Sequence, residues 1–209
     1  ADYPWWVGCD NTYSLLGGLS TGRPQLAIET LRLLKDFSEK TGSNGRVVHE
    51  VSTNGVVFNP GNINAPPHFA SMIRTLYDWT GDTALLREFY PFLVKGMEWL
   101  MEENDPDLNS LPNGFGMMEI HGLNSEMIDV TVYTQKAVED MAYMQEIIEG
   151  DKRERNYLTI SAHLKDVINT DFWVEEFDSY ADFIGTAAQA RKLIEDAIIR
   201  ADTLNKPWA

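Results

Sequence analysis

Apolar side chains recur at intervals of three and four residues along most of this chain, and this periodicity is typical of amphipathic α-helices. The clearest helix starts at Pro24, which favours a first helical turn, and ends at the turn-forming residues 41–45. Another helix starts near Asn11. The pattern predicts further helices at residues 67–79, 82–89 with Asp82 as N-cap, from Pro91 onward, 127–150, 157–168 and 186–204. The predicted fold class is therefore all-α.

Two long stretches lack the helical periodicity. Residues 46–64 alternate and contain Asn54-Gly55, a pair typical of hairpin turns, and residues 108–126 form a second loop. Loops of this length inside a compact helical protein are usually functional. The helices between them pair as antiparallel hairpins, one up to residue 40, one over 67–103, one over 127–170 and half of another. Such hairpins in series form bundles, solenoids or closed toroids.

Composition excludes several classes of partner and site. The net charge of −15 disfavours nucleic acid and anionic membrane surfaces, because both would repel the chain. The single cysteine, Cys9, excludes an internal disulfide and any multi-cysteine metal site. Four histidines without metal-ligand spacing predict no catalytic metal, and no phosphate-binding loop, nucleophile elbow or dinucleotide motif occurs. We therefore expect no cofactor.

The loop at residues 116–122 (GMMEIHG) carries the first candidate for catalysis. It places Glu119 and His121 two residues apart, beside methionines, an isoleucine and glycines. An acid in partly apolar surroundings stays protonated closer to neutral pH, as a general acid must. The alternative is a solvated loop carboxylate.

A second candidate site lies at the start of the chain, where Trp5 and Trp6 precede Asp10. Indole rings pack on the apolar faces of sugars, and a carboxylate accepts hydrogen bonds from sugar hydroxyls. The alternative is that both tryptophans belong to the core and that Asp10 is a helix N-cap.

Two further acidic positions have a functional and a structural interpretation. His49 and Glu50 are adjacent polar residues in the first long loop, and a structurally bonded pair explains them equally well. Glu126 and Asp129 lie where a long helix starts, and the helix macrodipole alone accounts for acids there.

Four motifs occur in the order found in a known family. They are residues 4–13 (PWWVGCDNTY), 49–55 (HEVSTNG), 79–82 (WTGD) with Tyr90-Pro91 and Trp99-Leu100, and 116–119 (GMME) with Tyr133 on the next helix. Together they resemble the six-hairpin glycosidases. The nearest group is the amylo-alpha-1,6-glucosidase (glycogen-debranching) and glucoamylase-like set, and the resemblance covers nearly the whole chain.

The resemblance implies a fold and a chemistry. The family fold is an (α/α)6 toroid with the active site in a funnel at one end. Glu119 matches the general acid and Asp10 matches an acid that binds sugar hydroxyls. The implied activity is exo-acting, inverting hydrolysis of a glucoside-like oligo- or polysaccharide, in which two carboxyl groups stand roughly 6.5–9.5 Å apart. The other pocket-lining residues would be Trp5, Trp6, His49, Glu50, His121 and Glu126.

The chain departs from the family in length. A complete toroid has twelve helices, whereas this pattern supplies about seven, and the general base is expected in a later hairpin. We therefore expect residues 1–209 to be one segment of a glycosidase catalytic domain, truncated at both ends and completed by the remainder of the domain or by another subunit. The alternatives are a non-catalytic helical carbohydrate-binding or interaction module, or another toroid enzyme such as a sugar epimerase or uronyl hydrolase.

Overall fold

The structure, a computed structural model, describes residues 4–114, 116–118, 124–150 and 155–203. Within these residues it contains seven α-helices, which form three antiparallel hairpins and the start of a fourth. They are α1 (Asp10–Ser20), α2 (Pro24–Thr41), α3 (Ala65–Thr80), α4 (Thr83–Glu98), α5 (Ile128–Glu149), α6 (Tyr157–Thr170) and α7 (Ala187–Thr203). The predicted series of helical hairpins is confirmed.

Short strands lie in the connections between the hairpins. They are β1 (Trp6–Val7), β2 (Glu50–Val51), β3 (Val57–Asn59), β4 (Asn113–Gly114), β5 (Ser125–Met127), β6 (Trp173–Val174), β7 (Ser179–Tyr180) and β8 (Phe183–Ile184). They form three small antiparallel sheets with the orders β1-β2-β3, β4-β5-β8 and β6-β7. The predicted hairpin turn at Asn54-Gly55 is confirmed, with Gly55 at a φ of +81°.

The helices pack in two layers. Helices α1, α3 and α5 lie side by side, and α2, α4 and α6 each pack against the preceding helix of their own hairpin. The core between the layers is aromatic at α3, where Phe69 stands 6.0 Å from Phe89 and 5.5 Å from Phe92 of α4, measured between ring centroids. Full burial of each such side chain contributes about 1.5–3 kcal/mol. This arrangement is part of an (α/α)6 toroid.

Helix α4 corrects one prediction. The break expected at Pro91 is wrong, because α4 runs through Pro91 and continues as a π-helical turn at Trp99–Glu103. The proline ring is exposed, while Tyr90 and Phe92 on either side of it are buried, so packing outweighs the lost backbone hydrogen bond. The N-cap prediction is confirmed, since an Asp82 carboxylate oxygen accepts two backbone N–H bonds, at 2.9 and 3.2 Å.

A close backbone contact fixes the connection between α2 and β2. Gly45 has a φ of +81°, and a Cβ there would collide with the backbone of Lys95 and Gly96 in α4. A Cβ on Gly96 would in turn lie 2.9 Å from the carbonyl oxygen of Gly45. The loop that leads to His49 is therefore held directly on α4. In the ranges that the structure describes, no helix is long and apolar enough to cross a membrane.

We predict that Gly45→Ala destabilises the fold by about 2 kcal/mol or more, because the new methyl group meets backbone atoms and the φ is unfavourable. The matched control is Gly17→Ala in α1, where the space is open; it should stabilise by roughly 0.5–1 kcal/mol through helix propensity. Chemical unfolding of both variants measures the difference. Equal stabilities would contradict the close contact.

Candidate active site

The N-terminal turns of α1, α3 and α5 meet through three aromatic rings. The imidazole of His68 in α3 lies 5.5 Å from the ring of Tyr13 in α1 and 4.1 Å from the ring of Tyr133 in α5, centroid to centroid. The two tyrosine hydroxyls are 3.1 Å apart. Because each residue lies in the first two turns of its helix, this contact brings the three helix N-termini together.

Acidic residues begin two of these helices. Asp10 is the first residue of α1 and is exposed, and Asp129 is the second residue of α5. Both positions suit the positive end of the helix macrodipole. The interpretation of Asp10 as an N-cap is wrong, because Cys9 holds the cap position. The carboxylate of Asp10 is therefore available to a ligand.

Asp129 also fixes the loop that precedes Glu119. One of its carboxylate oxygens accepts the backbone N–H of Met117 at 2.6 Å. Gly116 has a φ of +56°, and a Cβ there would lie 2.6–2.7 Å from the oxygens of Asp129. The 3-10 turn Gly116–Met118 is thus held on the start of α5. Glu119 and His121 lie outside the described residues.

Several buried polar atoms at these helix ends have no hydrogen-bond partner among the described residues. They are Asn11 Nδ2, both amide atoms of Asn64, His68 Nε2 and Asp129 Oδ1. Asn64 precedes His68 by four residues, so the two side chains share one face at the start of α3. Buried polar groups in proteins are normally hydrogen-bonded. These atoms can therefore bond a polar ligand.

The imidazole of His68 is uncharged at neutral pH. Burial lowers the pKa of His68 to about 4, although the negative charges of Asp129 and Asp10 act in the opposite direction. A neutral imidazole has one donor and one acceptor nitrogen. His68 can therefore exchange a hydrogen bond with a hydroxyl group but offers no charge to an anion.

The first sheet brings two predicted loops together. Strand β1 pairs with β2, so that Val7 lies opposite Glu50, and the N–H of Gly8 donates to the carbonyl oxygen of His49 at 2.7 Å. The His49 side chain is buried, and its Nδ1 has no partner. Glu50 is half-buried. The segment entering α1 at Asp10 is therefore fixed beside His49 and Glu50.

The two tryptophans face different surroundings. The ring of Trp5 stacks on Phe58, with centroids 4.6 Å apart and planes inclined by 8°. Trp6 instead lines a groove of about 580 Å³ along α2, together with Leu26 and Phe37. Successive residues of a strand point to opposite faces. The structure therefore does not bring both indoles to one surface.

Glu126 belongs to a different polar cluster. It is buried in β5 and accepts a hydrogen bond from Asn109 Nδ2 at 2.7 Å. Burial raises the pKa of Glu126, and the nearby Asp107 and Asp105 raise it further. Its hydrogen-bond partner lies in the loop after the π-helical turn and not among the side chains that join α1, α3 and α5. Residues 4–114, 116–118, 124–150 and 155–203 contain no cluster of three or more His, Cys, Asp or Glu suited to a metal ion.

Comparison with known proteins identifies the family. The model of the mannosylglycerate hydrolase MGH1-like glycoside hydrolase domain matches residues 3–125, more than half of the chain. The chain belongs to this family. A solved structure titled rhamnosidase from Klebsiella oxytoca with rhamnose bound is similar in fold, with a TM-score of 0.66 at 14% identity. The match covers 93% of this chain but only 41% of the rhamnosidase chain. No curated protein matches.

These comparisons confirm the six-hairpin glycosidase resemblance, while the amylo-alpha-1,6-glucosidase subgroup stays a prediction. Sequence reasoning missed two residues of the cluster, Asn64 and His68. The spacing of four residues at the start of a helix was visible in the sequence. Each residue alone is typical of a cap or a core position, so this spacing does not by itself indicate a site.

We predict that His68 makes the unfolding free energy pH-dependent. Because the pKa of His68 is lowered to about 4 on folding, the unfolded chain takes up this proton first as the pH falls. Stability is therefore lost between about pH 6.5 and pH 4, by about 3 kcal/mol. On acidification the wild type should lose about this much more unfolding free energy than His68→Gln. The other titrating groups are common to both proteins, so their contributions cancel in the comparison. The control His163→Gln should lose as much unfolding free energy on acidification as the wild type. If the unfolding free energies of wild type and His68→Gln change with pH in parallel, the prediction is contradicted.

Proposed function

We propose that this chain forms part of the active site of a glycosidase that hydrolyses a glucoside-like oligo- or polysaccharide with inversion at the anomeric carbon. The observation that carries the proposal is the meeting of α1, α3 and α5 at Asp10, His68 and Asp129, in a member of a glycoside hydrolase domain family. Carboxylates and neutral donors at one polar site suit an uncharged, hydroxyl-rich substrate.

Asp10 is proposed to hold the sugar at the cleavage subsite. Its carboxylate is exposed at the start of α1 and accepts hydrogen bonds from ring hydroxyls. Trp5, five residues earlier in the chain, is proposed to supply an aromatic face, and His49 and Glu50 are fixed beside the segment that enters α1 by the first sheet. His121 is a further proposed lining residue, whereas Trp6 lies in the groove along α2 and Glu126 is bonded to Asn109, so the proposed site does not include them.

Glu119 is proposed as the general acid. It follows directly after the turn that Asp129 holds on α5, so the backbone leading to it is anchored beside His68. A general acid must stand at a fixed distance from the glycosidic oxygen that it protonates. The hydrogen bond from Met117 to Asp129 supplies such an anchor two residues before the acid.

The general base is proposed to come from the remainder of the catalytic domain or from another subunit. Inversion needs a second carboxylate, placed to activate water on the opposite face of the sugar. The chain spans 41% of the length of the similar rhamnosidase. Helix α7 leaves Ile194, Ile198 and Ile199 more than half exposed, which suits a surface that packs against further helices.

The second candidate function is a carbohydrate-binding module without turnover. Inversion needs a second carboxylate at the same site. The buried acid Glu126 is bonded to Asn109 and does not lie with Asp10 and Asp129, which favours binding without turnover. Turnover on a panel of aryl glucosides, mannosides and rhamnosides, together with mannosylglycerate, separates the two functions. Binding without hydrolysis by the complete domain would favour the module.

We predict that Glu119→Gln in the complete domain lowers kcat by about 10²–10⁴-fold on substrates with poor leaving groups. The loss should be much smaller on an activated aryl glycoside, whose leaving group barely needs a proton. Steady-state kinetics on the two substrate classes give the comparison, with the exposed Glu103→Gln as a control that keeps wild-type rates. Equal losses on both classes would show that Glu119 is not the general acid.

We predict that Asp10→Asn weakens engagement of the substrate. A sugar hydroxyl would lose a charged acceptor worth about 1.5–3 kcal/mol, which corresponds to roughly 10–100-fold in kcat/KM. The exposed Asp166→Asn variant in α6 is the matched control. Unchanged kcat/KM in Asp10→Asn would remove Asp10 from the site.

A further inference from the structure

Asn64 is an N-cap residue that does not cap its helix. It precedes α3, where an asparagine side chain normally accepts a backbone N–H of the first turn. Its side chain makes no such bond and is fully buried, and neither its amide nitrogen nor its amide oxygen has a partner within the part of the chain that the structure describes. Helix capping therefore does not explain this asparagine.

His68 lies four residues further on and is also a buried polar side chain with an atom that the described residues leave unpaired. Its side chain is 5% exposed, and no described residue is a hydrogen-bond partner of its Nε2. The rings of Tyr13 and Tyr133 contact the imidazole from two neighbouring helices and restrict its rotation. A purely structural ring here would carry the cost of an unmade hydrogen bond, which an apolar side chain would avoid.

We infer that Asn64 and His68 form a hydroxyl-binding pair in the glycosyl site and that this pair selects an uncharged sugar ring. The inference rests on the proposed glycosidase function and names two specificity residues and a substrate class for it. The amide offers two donors and an acceptor, and the imidazole nitrogen offers one further bond. This set matches the mixed donor and acceptor character of sugar hydroxyls.

The charges around the pair argue against an anionic ring. Among the residues that the structure describes, the ionised groups that act on His68 are Asp129 and Asp10, and both are negative. These two acids also lie at the starts of α5 and α1, where they offset the positive potential of the helix N-termini. A sugar carboxylate or phosphate next to His68 would meet like charge, whereas a hydroxyl would not.

The first test determines which imidazole nitrogen of His68 contacts the substrate. The amide of glutamine reaches the position of Nε2, whereas the amide of asparagine reaches only that of Nδ1. In the complete domain, His68→Asn and Asn64→Ala should each lose about tenfold in kcat/KM on a neutral glycoside, and His68→Gln should lose less than His68→Asn. The matched controls on α6 are His163→Asn and Asn169→Ala. If His68→Asn and Asn64→Ala both keep wild-type kcat/KM, the pair does not contact substrate.

The second test addresses charge. An aryl glucoside and the corresponding glucuronide differ only in the carboxylate, and the wild-type enzyme should prefer the glucoside by at least about tenfold. Equal or better hydrolysis of the glucuronide would overturn the selection of an uncharged ring. Hydrolysis of neither, nor of any other glycoside in the panel, would instead count against the proposed function.

A third test measures sugar binding at His68 directly and does not require that the His68 and Asn64 variants fold. The Glu119→Gln protein with ¹⁵N-labelled histidine should show a shift of the His68 Nε2 resonance when glucose, mannose or rhamnose is added, and none for His163. An unchanged His68 resonance under saturating sugar would overturn the inference. If the His68 resonance shifts but the wild-type domain hydrolyses no glycoside, the hydroxyl-binding pair is supported and the proposed hydrolysis is refuted.

Discussion

The site depends on one contact, the packing of His68 between Tyr13 and Tyr133. These residues belong to three hairpins that are far apart in the sequence, and their rings bring the first turns of α1, α3 and α5 to one place. Asp10 and Asp129 reach the same region only because their helices start there. Burial at this contact also keeps the imidazole neutral, so the geometry and the charge of the site have the same origin.

The connecting loops are attached to this frame by backbone interactions. Strand pairing fixes the segment before Asp10 to His49 and Glu50, and the carboxylate of Asp129 holds the turn before Glu119. Gly45 and Gly116 permit close approaches that a side chain would prevent. Glycines at such places keep long loops in fixed positions on a helical scaffold, which catalysis requires.

Much of the scaffold follows from the sequence, because helix periodicity is a local property. Helices α2, α3 and α5 begin and end close to the predicted residues, and Asp82 caps α4 as expected. The break at Pro91 was wrong because burial of its neighbours is a tertiary effect. The spacing of Asn64 and His68 is local, but their burial at the meeting of three helices depends on contacts between distant segments, as does the stacking of Trp5 on Phe58, and no local pattern reveals these contacts. The roles of Glu119 and His121 stay predictions from the resemblance.

The proposed function requires that a sugar binds where α1, α3 and α5 begin. A crystal structure of the complete domain carrying Glu119→Gln, with an oligosaccharide substrate bound, tests this claim most directly. We predict ring hydroxyls within hydrogen-bonding distance, about 2.7–3.2 Å, of the Asp10 carboxylate and of Asn64 or His68. A sugar seated instead in the groove that Trp6 forms with α2, with no ligand oxygen near Asp10, would contradict it.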